Sequence, residues 1–117
     1  MQAFLIDPEI KSIEKVDRDF EKLEELQAAV EGYIELAAYI VDKDGGENVV
    51  YCDEEGMLKL QFAFTRLESA PNPLAGRLLV LGSDGEGGST DVKISEEELR
   101  GMVSFMSLAE VKRQYAS

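Results

Sequence analysis

The chain has 117 residues, with 24 Asp and Glu, 12 Lys and Arg and no His, for a formal net charge of −12. Lacking imidazole, it has no histidine base or histidine zinc ligand, and its single Cys excludes an internal disulfide or a multi-cysteine metal site. A chain this acidic repels phosphate backbones and anionic membrane surfaces, so neither is expected as a partner.

The length and the 44% hydrophobic content fit one domain that buries a core without staples. No apolar run approaches the roughly 20 residues of a membrane span. The start of the chain lacks a basic leader, and Cys52 lies in an apolar stretch without a cation beside it. A reduced, cytoplasmic setting is expected. The acidity is uneven: residues 1–59 hold 16 acids and 6 bases, and the remainder holds 8 and 6.

In chain order, Ala3–Ile6 is apolar on both faces, as an interior strand requires, and Asp7-Pro8 stops it. Lys11–Val16 has only Ile13 and Val16 to bury and suits a sheet edge. Residues 18–31 read as an amphipathic helix. Phe20, Leu23, Leu26 and Val30 form its stripe, Asp17 or Asp19 can cap its start, and Gly32 can end it. Tyr33–Val41 alternates, with Ile34, Leu36, Ala38 and Ile40 on one face and Tyr33, Glu35, Ala37 and Tyr39 on the other. The turn cluster Asp42–Asn48 and the run Val49–Asp53 complete a predicted hairpin.

Met57–Phe64 is apolar at every second position and reads as a further strand. Pro71 and Pro73 stiffen the connection that follows, and Arg77–Leu81 predicts a strand buried on both faces. Asp91–Ile94 predicts a short strand. Ser95–Glu98 is a capping box that opens a helix through Leu99, Met102, Val103 and Met106. Ser107–Glu110 repeats that pattern, so either a second short helix begins there or one helix bends. The expected fold is α+β: a mixed or antiparallel sheet of about five strands, one helix after the second strand and a C-terminal helical segment. Residues 1–106 form the domain, and 107–117 a helical tail.

Two regions draw functional attention. Gly82, Ser83, Asp84, Gly85, Glu86 and Gly87 begin a Gly/Ser loop that ends near Asp91. Glycines let amides approach a phosphate, but the Lys of a P-loop is missing and Asp84 and Glu86 would repel an anion. The loop reads first as a strand connection and second as a ligand loop. The other region is acidic: Glu21, Glu24, Glu25 and Glu31 on the predicted helix, and Asp42, Asp44 and Glu47 in the hairpin turn. Asp42-Lys-Asp44-Gly45 departs from a calcium loop after two ligands, so it reads as a turn. Nothing marks a catalytic carboxylate pair, and Glu96–Glu98 are accounted for by the helix dipole. No catalytic residue, cofactor or metal ligand is assigned.

Several segments in order are familiar: Phe4-Leu-Ile-Asp-Pro8, Leu23-Glu-Glu-Leu-Gln27, Gly32-Tyr-Ile-Glu35 and Val50-Tyr-Cys-Asp-Glu-Glu-Gly56. Asn72-Pro-Leu-Ala-Gly76, Leu79-Val-Leu-Gly82 and Ser95–Arg100 follow. This combination resembles the domain-of-unknown-function family 3846 of bacteriophages, plasmids and bacteria, over about residues 3–106. The resemblance implies an accessory protein in a bacterial cytoplasm and transfers no catalytic residue.

Two expectations follow. The first is a non-catalytic phage or mobile-element accessory protein that binds a basic bacterial protein through its acidic N-terminal half. The alternative is a protein that binds or sequesters a nucleotide or metabolite, or an enzyme using carboxylates, with a pocket near residues 82–91.

Overall fold

A computed structural model describes residues 1–56 and 63–115. In chain order the elements are β1 (Gln2–Asp7), β2 (Ser12–Asp17), α1 (Leu23–Val30), β3 (Ile34–Val41), β4 (Glu47–Asp53), β5 (Ala63–Leu67), β6 (Leu74–Ala75), β7 (Leu78–Ser83), β8 (Ser89–Thr90), α2 (Glu96–Gly101), β9 (Val103–Ser107) and α3 (Leu108–Tyr115). The fold is α+β. Its main sheet runs β2-β1-β7-β4-β3, with β8 paired to the end of β7, and a second sheet runs β6-β5-β9. Every pairing is antiparallel. The sheets thus hold more strands than the five expected. Most of the predicted Met57–Phe64 strand lies outside the described residues; Phe64 belongs to β5.

β7 sits at the centre of the main sheet because Leu78–Leu81 can bury both faces. Phe4, Ile6, Val50, Leu78 and Val80 pack toward the second sheet and α2, where Leu67 and Leu99 meet them. Ala3, Leu5, Val49, Leu79 and Leu81 pack on the opposite side against Phe20, Ala29 and Val30. Two apolar layers on a two-residue period pin the register, since a one-residue slip would exchange them. The predicted edge position of the second strand holds: among the described residues, β2 pairs only with β1.

The first helix is shorter than the sequence suggests. Residues 18–22 form turns, closed by Phe20 N–H to Arg18 O and Lys22 N–H to Asp19 O. Lys22 occupies the cap position without a side-chain cap, so neither Asp17 nor Asp19 has that role. Phe20 is buried ahead of the helix while Leu23 is 53% exposed, so the predicted stripe mixed two environments. Helical spacing was satisfied by a turn that delivers Phe20 to the same core. Glu31, not Gly32, ends the helix in the left-handed conformation (φ 60°), and the Gly32 amide donates to Gln27 O.

β3 also departs from simple alternation. A bulge between Leu36 and Ala38 shifts the pairing with β4. Ile34 therefore packs with the α1-side layer and Ala38 and Ile40 with the other, although the sequence places all three on one face.

The C-terminal region carries the largest correction. The expected helix through Met106 stops at Gly101, and Val103–Ser107 is a strand pairing with β5 from Leu67↔Val103 to Ala63↔Ser107. The spacing of Leu99, Met102, Val103 and Met106 fits a helix, but a distant strand offers the Val-Ser-Phe-Met-Ser segment a ladder that suits its alternation. Ser107 and Glu110 then form a complete capping box, each accepting the other's backbone N–H at 3.2 and 3.1 Å. Asp91–Ile94 is not a strand. Its amides bond elsewhere: Val92 to Gln2 O, and Lys93 and Ile94 to the Asn48 side chain.

Thr65 in β5 is fully buried, and its hydroxyl has no hydrogen-bond partner among the described residues. Replacing that hydroxyl by a methyl of the same shape removes a desolvation cost. Thr65→Val should stabilise the domain by about 1 kcal/mol. Urea unfolding with an unchanged m-value is the measurement; a loss of stability would refute the assignment.

Candidate functional site

Two hairpin turns at one end of the main sheet are built alike. Asp42-Lys-Asp-Gly-Gly46 joins β3 to β4, and Asp84-Gly-Glu-Gly-Gly88 joins β7 to β8. In the first, one Asp42 oxygen accepts the amides of Asp44 (2.9 Å) and Gly46 (2.7 Å), while Asp42 N–H donates to Gly46 O. In the second, one Asp84 oxygen accepts the amides of Glu86 (2.7 Å) and Gly88 (2.9 Å), while Asp84 N–H donates to Gly88 O. The fourth residue is left-handed in both, Gly45 at φ 84° and Gly87 at φ 92°. The fifth must be Gly, because an added Cβ would lie 2.4 Å from Asp42 Oδ2 or 2.2 Å from Asp84 Oδ2. The sequence pattern Asp-x-acid-Gly-Gly recurs at both sites.

The Asp84 turn has a pH signature. The Glu86 and Gly88 amides hold the Asp84 carboxyl below its ordinary value of 3.8. A lowered folded-state pKa means the carboxylate's contribution is present above that ordinary value and is lost as pH falls through the lowered one. The Glu86 and Gly88 amide proton shifts should titrate together with a midpoint below 3.8. A midpoint at or above it would show that the turn does not hold the carboxylate.

Asn48, in β4 beside the first turn, knits this end of the sheet together. Its side chain is inaccessible to solvent and makes four hydrogen bonds. The oxygen accepts from Lys93 N–H (2.9 Å) and Ile94 N–H (3.2 Å). The nitrogen donates to Gly46 O (3.2 Å) and Ile40 O (3.4 Å). Glu98 adds a tie from α2 by accepting Lys43 N–H at 2.9 Å.

Between the β7–β8 turn and the exposed face of β3 and β4 lies a groove of about 530 Å³. Its floor is three cross-strand pairs, Leu36↔Tyr51, Tyr39↔Val49 and Val41↔Glu47. Its wall is the β7–β8 turn, with Ser83, Gly85 and Gly87 facing in. The floor is apolar and open: Leu36 is 42% exposed, and Tyr39 and Val41 64% each. Glu47 is the one charged residue of the lining, and an added Cβ on Gly85 would sit 3.2 Å from its carboxylate.

The predicted site residues are distributed unevenly around this groove. It brings Glu47 of the acidic set together with Ser83, Gly85 and Gly87 of the loop set. Gly82 is buried under β8, and Asp84 and Glu86 are exposed in the turn. Glu24 and Glu25 lie in the first turn of α1, where the helix dipole favours them, while Glu21, predicted on the helix, lies in the turn ahead of it. Glu31 forms an ion pair with Arg77 at 3.0 Å, next to the β3 end that pairs with Asp53. Asp42 and Asp44 lie at the opposite end of that ladder. The acids therefore do not gather on one surface. Strand alternation puts Leu36 on one face with Ala38 and Ile40 and Tyr39 on the other; the bulge that brings Leu36 to the side of Tyr39 leaves no sequence signal, so the apolar floor is not legible in the chain.

The groove lining carries the hydroxyls of Tyr39, Tyr51, Ser83 and Ser89 and the carboxylate of Glu47. Cys52 packs in the layer facing the second sheet, and burial pushes its thiol up to about 11, leaving it protonated at neutral pH. Among the described residues there is no group of three or more His, Cys, Asp or Glu side chains placed to hold a metal. No helix among them is long and apolar enough to cross a membrane.

Fold and groove together define a two-sheet α+β domain with an open, largely apolar depression bordered by Glu47. The chain belongs to the family described as Domain of unknown function (DUF3846), which matches residues 1–104. No curated protein and no solved structure matches it.

Proposed function

We propose that this is a non-catalytic binding protein whose groove receives a basic, partly apolar region of a partner protein. One observation carries the reading: exposed Leu36, Tyr39 and Val41 line a concave surface whose single charged lining residue is Glu47, in a chain of net charge −12. Apolar floor and acidic rim complement a cationic segment with apolar side chains, and the chain's field speeds encounter with it. A buried small molecule is favoured less, because such sites enclose most of their ligand and this floor is largely open. The acidic N-terminal half contributes through Glu47 at the groove, rather than as a continuous charged face. A cytoplasmic setting suits an unpaired, buried Cys52.

The test is an NMR titration of the labelled protein with the peptide Lys-Val-Lys-Ile-Lys-Val-Lys and its Glu-for-Lys counterpart. The basic peptide should shift the amides of Tyr39, Val41, Glu47 and Gly85, more weakly at raised salt. Tyr39→Ser should weaken binding about tenfold, the loss expected for an exposed aromatic anchor. Equal response to both peptides, or none to either, defeats the proposal.

A further inference from the structure

We infer that the partner segment engages as an extended strand added to the main sheet along the open edge of β3, beside the groove, with side chains reaching across β3 into it; this rests on the reading of the groove above. β3 ends the sheet and, among the described residues, pairs only with β4. Asp42 N–H donates to Gly46 O across the hairpin. Antiparallel alternation then turns the backbone groups of Ala38 and Ile40 toward β4, and those of Tyr39 and Val41 toward the open edge. The Asn48 side chain, which reaches Ile40 O from the β4 side, agrees with that alternation.

The two edges of the sheet are dressed differently. β2, at the far edge, carries Glu14, Lys15 and Asp17 among six residues, the usual protection against unwanted pairing. β3 carries Glu35 alone among eight, with no Lys and no Pro, and its bulge between Leu36 and Ala38 leaves the run Ala38–Val41 regular. Four of the six exposed large hydrophobic residues among those described, Tyr33, Leu36, Tyr39 and Val41, lie on β3 or just before it, so the sparsely charged edge and the apolar surface coincide. The bulge makes Leu36 to Ala38 one step of the ladder, so Leu36 to Val41 spans about 14 Å at the rise of a strand, room for a segment of about four residues. Such a strand, pairing through its backbone, would set alternate side chains against the exposed face of β3 and direct a cation to Glu47. A second copy of this chain is the poorer occupant. It would bring another −12 of charge and set Glu35 and Glu47 of one copy beside those of the other.

The experiment uses the full chain and three forms of the peptide Lys-Val-Lys-Ile-Lys-Val-Lys. One is unmodified, and the other two carry N-methyl groups on alternate amides in opposite phase. Only one phase faces β3, so one methylated peptide should lose at least about tenfold in affinity while the other stays within about twofold of the parent. Equal affinity of both methylated peptides overturns strand addition and leaves the groove reading intact. Failure of the parent peptide to bind overturns both. Dimerisation of the chain alone, seen by sedimentation and abolished by Tyr39→Pro, overturns the proposal in favour of a second copy. On the protein side, Tyr39→Pro removes an edge-facing N–H without touching the β3–β4 bonds. It should weaken the peptide further than Tyr39→Ser does, at an unchanged unfolding temperature.

Discussion

Asn48→Ala should lower the stability of the domain by about 3 kcal/mol, because it strands several buried backbone groups at once. The lost side chain leaves the amides of Lys93 and Ile94 without their acceptor and the carbonyl of Gly46 without its side-chain donor. Those groups lie where the β3–β4 turn meets the chain entering α2, and Asn48 itself is fully buried, so water cannot replace it without opening the site. For a domain of this size the midpoint of thermal unfolding should fall by about 12 °C. Asn48→Asp keeps the acceptor oxygen but sets a buried carboxylate against the carbonyls of Ile40 and Gly46, and should also destabilise. Calorimetry on both variants decides the matter. A loss below about 1 kcal/mol for Asn48→Ala would mean that the four hydrogen bonds contribute little beyond what solvent supplies.

Gly82→Ala is expected to cost a similar amount, about 3 kcal/mol, by forcing β8 away from β7. An added Cβ would lie 2.2 Å from Asp91 O and 2.3 Å from Thr90 Oγ1. The segment cannot step back, because Asp91 Oδ1 accepts Gln2 N–H and Val92 N–H donates to Gln2 O, both at 2.8 Å. β1 thus holds residues 91–92 against the strand that carries Gly82. The displaced β7–β8 turn is the wall of the groove, so Gly82→Ala should also weaken the basic peptide in the titration above. Gly101→Ala is the matched control: nothing lies within 4 Å of its added Cβ, and Gly101 is the last residue of α2. It should be neutral or stabilising by about 0.5 kcal/mol. If both substitutions cost the same, backbone crowding at Gly82 is not the cause.

Some features were legible because they depend on neighbours in the chain. Leu78–Leu81 can only be a strand covered on both faces, and it lies at the centre of the sheet. The Ser95 cap accepts from Glu98 N–H as its spacing predicts, although the Glu98 carboxylate serves Lys43 instead of reaching back. Other features depend on partners far away. Val103–Ser107 is a strand because β5 lies beside it, and no local pattern announces that. Asn48 reads as a turn residue, yet its main bonds go to residues 93 and 94. The Gly-rich loop was singled out for its own composition, but its use as a groove wall depends on β4 bringing Glu47 beside Gly85.

The −12 divides in the same way. Sequence by itself settles its sign and its concentration in residues 1–59, and with them the kinds of partner that charge repels. It also determines the α+β class and the two-faced central strand, since hydrophobic period and turn chemistry act over a few residues. Only the tertiary structure decides which acids matter to a surface. It ties Glu31 to Arg77, turns Asp42 inward onto its own hairpin, and leaves Glu47 at the mouth of an apolar groove. The physical reason is that a carboxylate's role depends on the donors and cations within a few ångströms, and long-range strand pairing selects those.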